Sequence, residues 1–331
     1  MTSVVVAGLM WLLVAALLIL RWGRVERGIT WASVTIAVSM TLNIDPVYVA
    51  LDGLLGGTNI VTLIADVALM TGVFLLGRGV MKAADRQPRT IVRLALSPVT
   101  YVAAVVGAAF AFFAIDRGAT TTVFMLDLGG QPAAAIYSMI HFTYYAIVLA
   151  AMAAVAAHQA LVSRGILTAP PILLVVGCVF GIALTVDVVV MDLAHIAGNL
   201  DLMEAAATMY SPLHLMTFLF LCSGFAGQPA SRAFKARARA RTTRMLTREL
   251  APAWNAASAV HPGISQQADA AFDPADPEAL LHRQVVEIRD AMIDTRVVFT
   301  ISDADRMVLD RAERHLVGAD STSTRHPQVQ P

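Results

Sequence analysis

Apolar residues crowd the first two-thirds of the chain into seven runs, near positions 3–20, 29–50, 60–77, 94–115, 133–157, 170–192 and 205–224. A helix needs about 20 apolar residues to cross a ~30 Å hydrocarbon layer, and only helices and closed barrels satisfy their own backbone there. The pattern therefore predicts an all-α, seven-transmembrane helix bundle over residues 1–224. Residues 225–248 then read as a basic juxtamembrane helix and 249–318 as a small helical cytoplasmic domain. In that domain Asp276 and Pro277 open one helix, whose Leu281, Val285, Ile288 and Met292 form an apolar stripe. Ser302 and Asp305 resemble a capping box ahead of Leu309, Ala312 and Leu316, with Gly318 as the stop. The two stripes predict a packed helical hairpin. Residues 319–331 have no periodicity and read as a disordered tail.

Composition agrees with lipid as the main solvent. The 331 residues are 57% hydrophobic and 15% charged, with a mean hydropathy of +0.66, against about 25% charged in soluble proteins. Charge then orients the bundle. Arg21, Arg24, Arg27, Arg78, Lys82, Arg86, Arg89, Arg93 and Arg164 fall in one set of alternate loops, and Arg117 alone in the other, beside Asp52, Asp116, Asp127, Asp201 and Glu204. Cytoplasmic loops hold the excess of Lys and Arg, so the N-terminus is expected outside and the C-terminus in the cytoplasm of a multi-pass protein of the bacterial inner membrane. No basic residue precedes the first run, which is therefore expected to be retained. The only two cysteines, Cys178 and Cys222, lie in predicted spans, so no disulfide framework is expected. Arg237, Arg241, Arg244 and Arg248 share one helical face suited to anionic lipid headgroups. No aromatic or motif context points to nucleic acid.

Leu250-Ala-Pro-Ala-Trp254, Asp273-Pro-Ala-Asp276 and Leu281-His-Arg-Gln-Val-Val-Glu-Ile-Arg-Asp290 resemble the cytoplasmic domain of an uncharacterised family of actinobacterial multi-helix membrane proteins labelled as transporters. The resemblance covers roughly residues 248–316. It implies kinship, and a transporter function by label. It supplies no catalytic or ligand residues.

Candidate chemistry comes from ionisable residues inside the runs. Counting about 1.5 Å of rise per residue from the outer ends places Asp45, Asp66, His141, Asp187 and His214 at a common depth of roughly 8 to 12 Å. Buried charge in a membrane is costly and normally faces a bundle interior or an aqueous cavity. The five are expected to form an outward-facing Asp/His layer that binds a cation, protons or a polar solute. Asn43, Asp45 and Pro46 together could unwind the second helix or end it early. Tyr137-Ser-Met-Ile-His141 and Tyr210-Ser-Pro-Leu-His214 share a local phrase that pairs the two histidines. Asp192 and His195 read as a solvated helix end, Gly177 and Gly181 as a close-packing face, and Pro212 as a kink. His261, His282 and His315 read as surface or packing residues. No metal site, cofactor or catalytic residue is expected, because short ligand spacings and phosphate-loop, zincin and nucleophile-elbow motifs are absent.

These features fit a transporter of a small solute or ion. The alternative is a seven-helix sensor or regulatory scaffold that signals through residues 249–318, where a cytoplasmic protein partner could bind. A continuous polar path below His141 would favour transport; its absence would favour sensing.

Overall fold

The computed structural model describes residues 2–20, 28–83, 90–260, 276–296 and 298–320. Arg21, Arg24, Arg27, Arg86, Arg89, His261, residues 273–275 and the tail 321–331 lie outside them. The chain divides into two compact units, Met1–Arg232 and Ala233–Pro331. Every regular element among the described residues is helical.

The first unit contains α1 (Thr2–Leu20), α2 (Gly28–Leu42), α3 (Asp45–Leu54), α4 (Ile60–Ala83), α5 (Thr90–Ala95), α6 (Pro98–Phe113), α7 (Phe124–Leu128), α8 (Pro132–Val162), α9 (Ala169–Ile196) and the first half of α10 (Leu200–Val260). Five helices are long and apolar enough to cross a membrane, and α2 with α3 makes a sixth if the pair counts as one broken span. The architecture is compatible with a multi-pass membrane protein.

Two of the expected uninterrupted runs are broken, both at proline. The second run bends by 84° between α2 and α3. Pro46, lacking an amide hydrogen, sits in the first turn of α3, while Asn43 turns back on the preceding helix through its Nδ2 bond to the Ser39 carbonyl, 3.0 Å. The fourth run splits into α5 and the 16-residue α6, because Ser97 and Pro98 start a new helix. Ser97 Oγ accepts from the Thr100 amide at 3.1 Å as its N-cap. Pro212, by contrast, does not interrupt α10, which runs 61 residues. The basic segment 225–248 is part of that same helix and not a separate element.

Helix packing here depends on small residues, since hydrocarbon offers no hydrophobic drive between apolar helices. A Cβ added at Gly177 would lie 2.8 Å from the Leu221 backbone nitrogen, and one at Gly181 would lie 2.5 Å from Leu149 Cδ1. These glycines let α9 approach α10 and α8. Gly224 does the same for α10 against Leu174. Cys178 and Cys222 are free and buried.

The second unit is a three-helix arrangement: the part of α10 beyond residue 232, α11 (Pro277–Ile293) and α12 (Asp303–Asp320). Leu246, Leu250, Leu281, Ile288 and Leu309 form its core. The expected hairpin is thus completed by a third helix, because the apolar positions 246, 250, 253 and 257 of α10 repeat at helical spacing on the side away from the arginine face. Asp276 caps α11 through the Glu278 amide, 2.9 Å, and Ser302 caps α12 through the Asp305 amide, 3.1 Å. Gly318 does not stop α12, which continues to Asp320. Arg289 joins α11 to α12 by bonds to Glu313 of 2.6 and 2.9 Å and to Asp310 of 2.9 Å.

His282 is exposed, whereas His315 is a packing residue with a defined proton. Thr243 Oγ1 donates to the Arg239 carbonyl at 3.0 Å, so at its 2.9 Å contact with His315 Nε2 it accepts the imidazole hydrogen. Burial, and secondarily the Arg239 charge, hold the His315 pKa below its usual 6.5. The unfolded chain therefore takes up this proton first as pH falls. Stability from the neutral imidazole is full above about 6.5 and declines below it. Amide exchange in α12 is expected to accelerate between pH 7 and 5 in the wild type and more weakly in His315→Gln; equal slopes would contradict this role.

Candidate functional site

A cavity of about 490 Å³ lies within the first unit. Its lining on α4 is the stripe Thr62, Asp66, Leu69, Val73 and Leu76, spaced to keep one helix face toward the space. Helix α8 contributes Tyr137, His141, Phe142, Tyr145, Leu149 and Met152. From α10 come Ala207, Tyr210, Ser211, His214, Thr217, Phe218 and Leu221.

The polar lining is gathered at one end. Polar groups belong to the starts of α4, α8 and α10 and to the end of α2 with its turn into α3: Thr62 and Asp66, Tyr137 and His141, Tyr210 and His214, Asn43 and Asp45. Further along the same helices the lining becomes Leu69, Val73 and Leu76, then Leu149 and Met152, then Phe218 and Leu221. The hydroxyls in that half, Thr185 and Thr217, already donate to the carbonyls of Gly181 and Leu213 in their own helices, at 3.2 and 2.7 Å. The continuous polar path that would favour transport is not part of this lining.

At the polar end, the Tyr137 hydroxyl donates to Asp66 Oδ2, and the Tyr145 hydroxyl reaches the Asp66 carbonyl at 3.4 Å. His141 Nδ1 lies 2.8 Å from the Tyr137 carbonyl, an acceptor only, so Nδ1 is the donor in this contact. The His141 ring centroid is 4.9 Å from Tyr137 and 5.6 Å from Tyr145, and His214 is 5.5 Å from Tyr210. The repeated Tyr-Ser-x-x-His phrase thus places a Tyr–His ring contact on each of two helices. Asp45, exposed in the first turn of α3, also lines the space.

Asp187 is not a lining residue, although its neighbours Leu184, Thr185, Val188 and Met191 are. Rise along a helix gives depth but not azimuth, and Asp187 lies roughly 100° around α9 from the centre of the lining row. Asp192 also departs from expectation. It is 1% exposed. Asp192 is therefore not part of a solvated helix end, while His195 packs its ring against the backbone of Gly129 and Gly130.

The sequence reading also missed what fixes the segment beside the polar end. Asp52, expected in a solvated loop, is fully buried. It accepts from the Asn59 amide at 2.9 Å, the Val61 amide at 3.2 Å and Thr120 Oγ1 at 2.6 Å. Asn59 adopts φ 60° and satisfies its whole side-chain amide. Its Nδ2 donates to the Arg117 and Ala119 carbonyls at 2.9 and 3.0 Å, and its Oδ1 accepts from Tyr48 Oη and the Thr121 amide at 2.9 and 2.8 Å. This ties down Thr121, Thr122 and Val123, which line the cavity. Arg117 lies over Phe112 at 5.0 Å. The signal available in sequence was Asn59 after Gly56 and Gly57, a turn composition that permits left-handed backbone.

Among the described residues no three His, Cys, Asp or Glu side chains lie close enough to hold a metal ion. No family model matches this chain, and no curated protein or solved structure matches it either.

Proposed function

We propose that the chain is a membrane sensor that binds a small ligand in this cavity and passes the change to its C-terminal helical unit. The supporting observation is a lining that joins Asp66, His141 and His214 from three helices at one end and closes with apolar side chains at the other. Such a site can hold a ligand but gives a hydrophilic solute no second set of polar partners along the way out, which is the argument against the transporter reading. Helix α10 carries both the cavity residues Tyr210, His214 and Leu221 and the second-unit core residues Leu246 and Leu250. A ligand that prefers one α10 position shifts that equilibrium by its differential affinity. Kinship with the actinobacterial membrane-protein family, and a protein partner at 249–318, belong to this proposal as well.

Occupying the cavity tests it. Ala207→Phe places a ring among the lining residues, and amide exchange in α11 and α12 of the full chain is expected to change at least about two-fold relative to wild type. Identical exchange, with the variant still folded, would count against sensing.

Lipid contact by Arg237, Arg241, Arg244 and Arg248 is proposed on the basis that all four are exposed. Each could gain about 1 kcal/mol from anionic lipid. Replacing the four with Gln should lower the number of phosphatidylglycerol molecules retained per purified chain; an unchanged number would refute the contact.

A further inference from the structure

We infer that the ligand class of this cavity is a single-chain cationic amphiphile, with an ammonium head among Asp66, Asp45 and the surrounding rings and its hydrocarbon chain along the apolar half. The inference rests on the cavity being a ligand site and adds what that ligand is.

Charge selects the head. The lining holds two carboxylates, Asp45 and Asp66, and neither Lys nor Arg. An anionic head, such as a fatty-acid carboxylate, would meet like charge with no Lys or Arg to offset it. Asp66 has one hydrogen bond to its Oδ2, from Tyr137, and its Oδ1 accepts none among the described residues. That leaves capacity for an ammonium. Rings select it further: Tyr48, Tyr137, Tyr145 and Tyr210 line the polar end, and aromatic faces around a carboxylate suit alkylammonium groups, whose charge is spread over methyl or methylene hydrogens.

Shape selects the tail. From Asp66 to Leu76 the α4 lining runs ten residues, which is about 15 Å of helix rise. One leaflet of a ~30 Å hydrocarbon core is about as thick, so the apolar half matches the reach of one lipid-like chain. The volume of about 490 Å³ lies within the roughly 300–1,000 Å³ typical of small-ligand pockets. Tetramethylammonium would leave the apolar half unfilled, and a neutral alkane would offer nothing to Asp66 Oδ1.

The test uses the full chain in phosphatidylcholine nanodiscs, with binding of dodecyltrimethylammonium, laurate and tetramethylammonium followed by native mass spectrometry. Dodecyltrimethylammonium is expected to saturate at one per chain, with laurate and tetramethylammonium at least about ten-fold weaker. Asp66→Asn should weaken the dodecyl cation by about ten-fold or more, Asp66→Glu should retain most of the affinity, and Asp187→Asn, outside the lining, should leave it unchanged. Laurate binding as tightly as the cation would overturn the inference while leaving a ligand site in place. Cation binding insensitive to Asp66→Asn in folded protein would overturn it too. Cation binding as expected, with unchanged exchange in α11 and α12, would sustain the inference and remove the sensing reading. No saturable binding by any probe would overturn both.

Discussion

Replacing Asn59 with alanine is expected to destabilise the first unit by about 3–5 kcal/mol. Four side-chain hydrogen bonds are lost. Each is worth about 1 kcal/mol net at most here, about 2–4 kcal/mol in all, because the four share one side chain and their contributions overlap. Alanine is also poorly suited to the left-handed backbone at φ 60°, which costs roughly 1 kcal/mol more. The melting temperature in a fixed detergent should fall by about 10 °C. Asn59→Gly removes the same bonds but tolerates the backbone, so it should recover only the smaller part of that loss. A melting temperature unchanged in both variants would show that the 114–123 segment is held by something else.

The second large effect is at the α9–α10 contact. Gly177→Ala puts a methyl group 2.8 Å from the Leu221 backbone nitrogen and 2.9 Å from Leu221 Cγ. A backbone atom cannot rotate away as a side-chain end can, so the helices must separate, at about 2–3 kcal/mol. Gly8 supplies the contrast, since an added Cβ there meets nothing within 4 Å. Gly8→Ala should be neutral or stabilising by up to about 1 kcal/mol through helix propensity. Opposite signs in thermal melts of the two variants are the expected outcome. Equal small effects would mean that α9 and α10 do not depend on this close approach.

What the sequence made legible follows from which physical quantity each pattern encodes. Apolar run length encodes helix length, and the helices at 2–20, 60–83 and 169–196 match their runs closely. The bends at Asn43–Ile44 and at Ser97 were harder, because apolar residues continue on both sides and a proline in a membrane helix is often tolerated. Pro46 and Pro98 each sit in the first turn of a new helix, where Asn43 and Ser97 bond backbone groups at the break, while Pro212 sits inside α10 without interrupting it. The basic segment looked like a separate element because charge changes abruptly at Arg232. Backbone geometry does not register that change.

Sequence gives a residue's position along its helix more readily than its direction around it. Asp45, Asp66, His141 and His214 could be placed along their helices from sequence alone, and all four line the same cavity. Asp187 has the matching depth on α9 and lies outside the lining. Asp52 and Asn59 escaped notice because loop acids and amides ordinarily face water. Their partners, Arg117, Ala119, Thr120 and Thr121, are distant in sequence and become neighbours only on folding.

The central claim is that side chains from separate helices act on one ligand. A double-mutant cycle on Asp66→Asn and His214→Ala tests it most directly, with affinity read for whichever of the three probes binds most tightly. Residues sharing one bound molecule are expected to couple by at least about 0.5–1 kcal/mol. Free-energy losses that add to within about 0.3 kcal/mol, or single variants that bind as the wild type does, would contradict the account.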